Sequence, residues 1–317
     1  MAILSKHVTY LAPLSGDYAK HFLPKLYRLQ GNRLSCILIV ENPYLSFPKQ
    51  GDLWLRFFAL LIAFKQKWAI FIAGMYWKIY CKNLNIRLLI SQSDQVEAWN
   101  EFIGQTDLLL VSGIRTILPE SLLKRVNNFS INFHYGPLPQ YRGTFPVFWQ
   151  KVNSVESYGY CFHVINKTID TGPILLQNSL RLPEQLRVPA ICQRLICHAS
   201  LHLHRLLDDS LVPIPQNESA AKYYSLKDFE QFIRISNRSA PTDWINKTHM
   251  EQRLILNDQY LLHTGSNFVR QQSTGIFRKG LHVFIVQSGY CIPLKRVNYL
   301  PPILYFWTLK KLLGHHK

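Results

Sequence analysis

Over its first third the chain alternates short continuous apolar runs with longer stretches of helical spacing. Val8-Thr-Tyr-Leu-Ala12 reads as a first strand, and residues 17–30 read as a helix closed by Gly31, with Ser15-Gly16-Asp17 making the turn between them. The unbroken apolar run Leu34-Ser-Cys-Ile-Leu-Ile-Val40 suits a parallel strand buried on both faces. A further run, Ile86-Arg-Leu-Leu-Ile90, precedes a helical pattern over residues 95–102, and Asp107-Leu-Leu-Leu-Val111 follows it. Strands that alternate with helices predict an α/β fold: a Rossmann-like, open, mostly parallel sheet with helices on both faces. Ligands of such sheets bind beyond the carboxyl ends of the strands, which directs attention to the loops 113–119 and 132–143. The first turn lacks a full Gly-x-Gly-x-x-Gly, so a nicotinamide cofactor is disfavoured.

Two regions depart from this alternation. Residues 53–81 interleave Trp54, Phe57, Phe58, Phe64, Trp68, Phe71, Tyr76, Trp77 and Tyr80 with Arg56, Lys65, Lys67 and Lys78. Lys65 and Lys67 divide the apolar residues into two stretches, each too short for a bilayer core of about 30 Å. The pattern predicts an amphipathic or two-helix insert, packed on the sheet or on a second subunit in preference to a membrane interface. A similar composition recurs over residues 302–313. After Leu211, Pro213-Ile-Pro-Gln-Asn-Glu-Ser219 reads as a linker. Beyond it come a short helical pattern over 225–233 with Ser225 as its N-cap, and a β-hairpin of residues 281–287 and 291–297. The expected division is a main domain of residues 1–211, carrying the basic aromatic insert 53–81, and a small C-terminal module of residues 220–317.

The balance of 36 Lys and Arg against 19 Asp and Glu gives +17, a field that favours an anionic partner. Polyglutamylated folate, a nucleotide-sugar, tRNA and an anionic bilayer all qualify. The six cysteines, Cys36, Cys81, Cys161, Cys192, Cys197 and Cys291, include no Cys-x-x-Cys and read as structural; with no secretory leader ahead of Val8, a reduced cytoplasmic setting is expected. Cys192, Cys197, His198, His202 and His204 share a helix-like stretch whose geometry turns several of them to different faces, so no metal is expected there.

Chemistry concentrates in two segments, Ser130-Ile-Asn-Phe-His-Tyr-Gly-Pro-Leu-Pro-Gln-Tyr-Arg-Gly143 and Thr168-Ile-Asp-Thr-Gly-Pro-Ile-Leu175. The carboxamide of Asn132 is a neutral donor suited to a developing oxyanion, the imidazole of His134 moves protons near neutral pH, and the carboxylate of Asp170 orients that imidazole or a water. No Ser or Cys stands where an acyl-enzyme would have to form, so direct attack of an amine or water on a carbonyl is the natural chemistry. Arg142 either pins its own loop or faces an anionic part of a substrate.

These segments resemble the signature of the formyltransferases that use 10-formyltetrahydrofolate: a strand ending in Asn-x-His, a Leu-Pro-x-x-(Arg)-Gly loop, and a downstream Asp-Thr-Gly. The resemblance spans about residues 107–207. It implies that Asn132 binds the oxyanion, that His134 shuttles the amine proton, and that Asp170 positions His134 and a bridging water. Leu110-Val-Ser-Gly-Ile-Arg-Thr-Ile-Leu-Pro119 is similar to the family's pterin-binding strand and loop, which implies folate contacts from Thr116, Ile117 and Leu118. It further implies a one-carbon transferase without a metal, in which residues 1–211 are the catalytic domain.

Where the family has Ser-Leu-Leu-Pro this chain has Gly136-Pro137-Leu138-Pro139, and in place of the Ala-Ala-Pro common in methionyl-tRNA formyltransferases it has Thr144-Phe145-Pro146. Those departures favour an amino-sugar acceptor, nucleotide- or lipid-linked. Methionyl-tRNA is the next choice. A formyltetrahydrofolate hydrolase comes third, and a non-catalytic, membrane-peripheral binding protein is the alternative of another class. A homodimer is compatible with all of these.

Overall fold

A computed structural model describes residues 6–40, 53–183, 186, 188–208, 210–229, 275–279, 282–287 and 290–293. By contacts the chain divides into two units, Met1–Tyr44 with Leu60–Asp258, and Leu45–Ala59 with Gln259–Lys317. In chain order the elements of the first part are β1 (Val8–Pro13), α1 (Asp17–Gln30), β2 (Leu34–Val40), α2 (Leu53–Asn83), β3 (Arg87–Gln92), α3 (Val96–Ile103), β4 (Leu108–Ser112) and α4 (Glu120–Leu123). Then follow β5 (Phe129–His134), β6 (Arg142–Gly143), α5 (Pro146–Val152), β7 (Tyr158–Val164), β8 (Ile174–Leu180), α6 (Val188–Leu201) and β9 (Tyr223–Tyr224).

Seven strands form one sheet in the order β3-β2-β1-β4-β5-β7-β8. The first five are parallel, and β7 and β8 add an antiparallel edge. This is the α/β architecture that the alternation predicts. The strand period of two explains the layers. Tyr10, Cys36, Leu110 and Phe133 point to one face, where Phe22 of α1 and Leu195 of α6 cover them. Leu11, Ile37, Leu109 and Val111 point to the other, under Trp99 and Ile103 of α3 and Leu122 of α4. With both faces covered, β1, β2 and β4 read as continuous apolar runs and not as alternating ones.

Three expectations change. Residues 53–83 form one continuous helix of 31 residues, not two pieces. Lys65 and Lys67 interrupt the hydrophobicity without interrupting the backbone, because Lys is a good helix former and no Pro intervenes. The stretch read as a linker is fastened to the sheet by a bridge from Ile214 to Ile174, and just beyond it β9 pairs with β6 in a separate two-stranded sheet. The expected hairpin is present as β11 (His282–Gln287) and β12 (Tyr290–Pro293), but a further strand, β10 (Gly275–Lys279), completes a three-stranded antiparallel sheet. Residues 230–233 of the expected short helix, and the aromatic stretch 302–313, lie outside the described residues.

Three of the Cys and His residues of α6 and its extension have partners within the fold. Cys192 is half-buried against the core, the His198 ring bonds the Tyr160 hydroxyl, and His204 Nδ1 lies 3.0 Å from the Leu201 carbonyl.

Candidate active site

Strand β5 sorts its residues by face. Ile131 and Phe133 enter the core beneath α1, which leaves Asn132 and His134 on the opposite face at the carboxyl end of the strand. The antiparallel neighbour β7 sets His163 directly opposite Asn132. His163 Nδ1 donates to the Val164 carbonyl at 3.0 Å, so its Nε2 accepts from the Asn132 carboxamide Nδ2 at 3.1 Å. One N–H of that carboxamide is thereby fixed and the amide plane is oriented, while its second N–H stays available to a substrate oxygen.

His134 is buried, and its Nε2 donates to the Tyr141 carbonyl at 2.6 Å. The nitrogen left to accept a proton is Nδ1, which lies 3.6 Å from Asp170 Oδ2. Asp170 itself sits at φ 55, the left-handed region that Asp tolerates better than most residues. It is held there by Gly143 and Gln216. The Gly143 N–H donates to Oδ2 at 2.8 Å, and Gln216 Nε2 donates to the backbone carbonyls of Asp170 and Gly172 at 3.0 and 2.6 Å. The other carboxylate oxygen lies 3.4 Å from His163 Nε2. Gly172 admits no side chain, because a Cβ there would stand 1.8 Å from the Val164 carbonyl oxygen. That close approach is what carries the Asp-Thr-Gly loop against the end of β7.

Asn132, His134 and Asp170 are therefore brought together, with His163 between two of them. His163 was not legible beforehand, since its place depends on an antiparallel register that no local pattern encodes. Gln216, in the supposed linker, was equally hidden.

Arg142 is buried, and its guanidinium is used from within the chain. Nε and Nη2 donate to Gln216 Oε1 at 3.0 and 2.8 Å, and Nη1 and Nη2 reach the Glu218 carboxylate at 2.9 and 2.6 Å. Of the two roles open to it, pinning the loop is the one these bonds fill. The loop after β4 leaves the sheet beside His134, because β4 pairs in parallel with β5 and matches Ser112 to Phe133. On this loop Thr116 Oγ1 donates to the Ser93 carbonyl, Ile117 is 72% exposed, and Leu118 is buried in the core under α3 and α4. The uncovered aliphatic side chain of Ile117 is of a kind that suits a flat ring. Leu118 has only its backbone to offer one.

Electrostatics set the protonation states. Burial lowers the His134 pKa from its usual 6.5, and the Asp170 charge, working the other way, does not recover it. Burial alone would raise the Asp170 carboxyl. The two imidazoles and the Gly143 N–H outweigh it and hold that group below the ordinary carboxylate range. At neutral pH the site holds a neutral imidazole beside a carboxylate, which is a base ready to take a proton. A measured kcat/KM should accordingly be flat at pH 7 and fall on the acid side with an inflection below 6.5. Because the Asp170 charge raises His134, Asp170→Asn should move that inflection lower still. An inflection above 6.5 in the unsubstituted protein would remove His134 as the base.

Residues 85–202 match the family described as formyl transferase. The segment contains every residue of the Asn132, His134, Asp170 and His163 cluster. The chain is 32% identical over 134 residues to a GDP-perosamine N-formyltransferase of Brucella melitensis, covering 42% of this chain and 51% of that protein. It is 30% identical over 143 residues to a methionyl-tRNA formyltransferase of Ehrlichia chaffeensis, covering 44% of this chain and 47% of that one. The chain thus spans about half the length of the curated relatives it matches. Among solved structures, the fold is similar to an N-formyltransferase of Helicobacter canadensis crystallised with folinic acid and dTDP-3-aminofucose, with a TM-score of 0.53 at 13% identity over 91% of this chain and 98% of that one. A sugar N-formyltransferase from Shewanella gives 0.52 at 18% identity, over 79% and 88%.

Proposed function

We propose that this protein is an N-formyltransferase that moves a formyl group from 10-formyltetrahydrofolate to the amine of an amino sugar. The observation that carries the reading is the cluster of Asn132, His134 and Asp170 at one strand end, inside a formyl transferase segment, where the thiol paired opposite His134, that of Cys161, is kept protonated by burial. The donor brings an activated formyl group; the protein contributes position and charge. Thr116, Ile117 and the Leu118 backbone line the folate side. The second N–H of Asn132 donates to the formyl oxygen as negative charge grows there. His134 takes the amine proton at Nδ1 while the new C–N bond forms, Asp170 stabilises the resulting imidazolium, and the proton then goes to the departing nitrogen. Arg142 acts on this chemistry by fixing Gly143, whose N–H holds Asp170.

The GDP-perosamine enzyme among the relatives and the departures at Gly136-Pro137 and Thr144-Phe145 support an amino-sugar acceptor, nucleotide- or lipid-linked. Residues 1–211 serve as the catalytic domain, and residues 220–317 as the module that meets the acceptor. The setting is cytoplasmic one-carbon metabolism. Methionyl-tRNA is the second reading, favoured by the methionyl-tRNA formyltransferases among the relatives and by the charge of +17. Incubating the protein and donor with a panel of nucleotide-linked amino sugars and with charged initiator tRNA, followed by mass detection of formyl addition, tests the choice. The expected result is a formylated sugar and unmodified methionyl-tRNA. Formate release at equal rate with and without an amine would overturn the transferase reading in favour of a hydrolase.

A further inference from the structure

We infer that the exposed face of α2 seats this protein on an anionic lipid surface, with the helix lying along the headgroup region. Helix α2 is apolar on two sides. One side is consumed by the fold: Trp77 and Cys81 are buried in the core, and Ile70 and Ala73 pack against it. At about 3.6 residues per turn, Phe64, Trp68, Phe71, Met75 and Ile79 fall on the opposite side as one stripe, roughly 22 Å long. Phe64 is 58% exposed, Phe71 56% and Ile79 54%. The rings of Phe64 and Trp68 stack at 6.3 Å, and Trp68 and Phe71 meet at 5.7 Å, so the stripe is one continuous apolar surface and not scattered side chains.

Its charge identifies what covers it. Residues 53–83 contain Arg56, Lys65, Lys67, Lys78 and Lys82 and not one Asp or Glu. Lys67 and Lys78 are exposed along one border of the stripe, and Lys82 is exposed at its end. An aromatic and aliphatic stripe edged by Lys alone is the composition of a helix that inserts shallowly among anionic headgroups. A second copy fits less well, because a symmetric contact would set each Lys border against its own copy in a protein of charge +17. Among the described residues no helix is long and apolar enough to cross a membrane, so the contact is one of lying on the bilayer. The inference does not depend on which amine is formylated.

Co-sedimentation of the full chain with phosphatidylcholine vesicles, with and without phosphatidylglycerol, tests it. Binding to the anionic vesicles at low salt and little to the neutral ones is expected. Lys67→Gln, Lys78→Gln and Lys82→Gln together should lower the partition coefficient about a hundredfold, at roughly fivefold for each charge. Phe64→Ser with Phe71→Ser should abolish the fraction that resists raised salt. Both sets alter exposed side chains, and an unchanged melting curve verifies the fold. Protein that stays in the supernatant with anionic vesicles overturns the inference. So does a dimer in sedimentation velocity that the Phe64→Ser, Phe71→Ser variant dissociates while its vesicle binding is unaffected.

Discussion

Replacing Asn132 with Ala should lower formyl transfer by about two to three powers of ten, the usual cost of one oxyanion donor, while the protein stays folded. Both halves of that expectation come from its position. Asn132 stands on the face of β5 turned away from the aromatic core of Phe133, Phe22 and Phe162, so truncation removes little apolar packing. What is lost within the protein is the bond to His163, a net cost of about 1 kcal/mol and a few degrees of melting temperature at most. The rate loss should be larger because the role proposed for the carboxamide is to donate where charge grows only during transfer, so kcat should fall more than KM rises. Asn132→Asp keeps the shape but sets a carboxylate against a developing negative charge, and should be at least as slow. Near-full turnover by the Ala variant on its formylated acceptor would show that the oxyanion is held elsewhere.

The sequence is informative here in proportion to how local each feature is. β1, β2 and β4 were legible because a strand buried on both faces must be apolar at nearly every position, and Leu34 to Val40 meets that condition without help from distant residues. Asn132 and His134 were legible because they share one strand end, and Asp170 because Asp-Thr-Gly is a compact loop signature. His163 and Gln216 were not. The first acquires its role from the pairing of β7 with β5, the second from a strap that returns after Leu211 to bond Arg142, Asp170 and Gly172. A polar stretch containing Pro213 and Pro215 has the composition of a linker whether or not its side chains find partners. Over residues 53–83 the hydrophobic pattern left an amphipathic helix and a two-helix insert both open, and backbone propensity, with no Pro to break the run, yields one helix.

The same strap shapes the expectation for Asp170→Asn, which should lower turnover by a factor of about 100 or more and leave folate binding nearly unchanged. Asn is the same size as Asp and retains an oxygen to accept the Gly143 N–H. The left-handed backbone at φ 55 is one that Asn adopts readily, and Gln216 holds the backbone carbonyls of residues 170 and 172 whatever the side chain is. The loop therefore has every reason to keep its shape. What disappears is the negative charge between the two imidazoles at 3.6 and 3.4 Å, and with it the stabilisation proposed for the imidazolium that His134 would become on taking the amine proton. Loss of that charge leaves burial opposed only by the hydrogen bond to the Tyr141 carbonyl, so His134 becomes a weaker base. The contacts proposed for folate are those of residues 116–118, on a separate loop, and should not sense the change. Titrating a non-reactive folate analogue into the variant, alongside a melting curve, separates the two roles. Intact binding and an intact melting temperature with slow turnover identify a residue that acts on the proton, whereas weakened binding together with a lowered melting temperature would mean that Asp170 does no more than hold its loop.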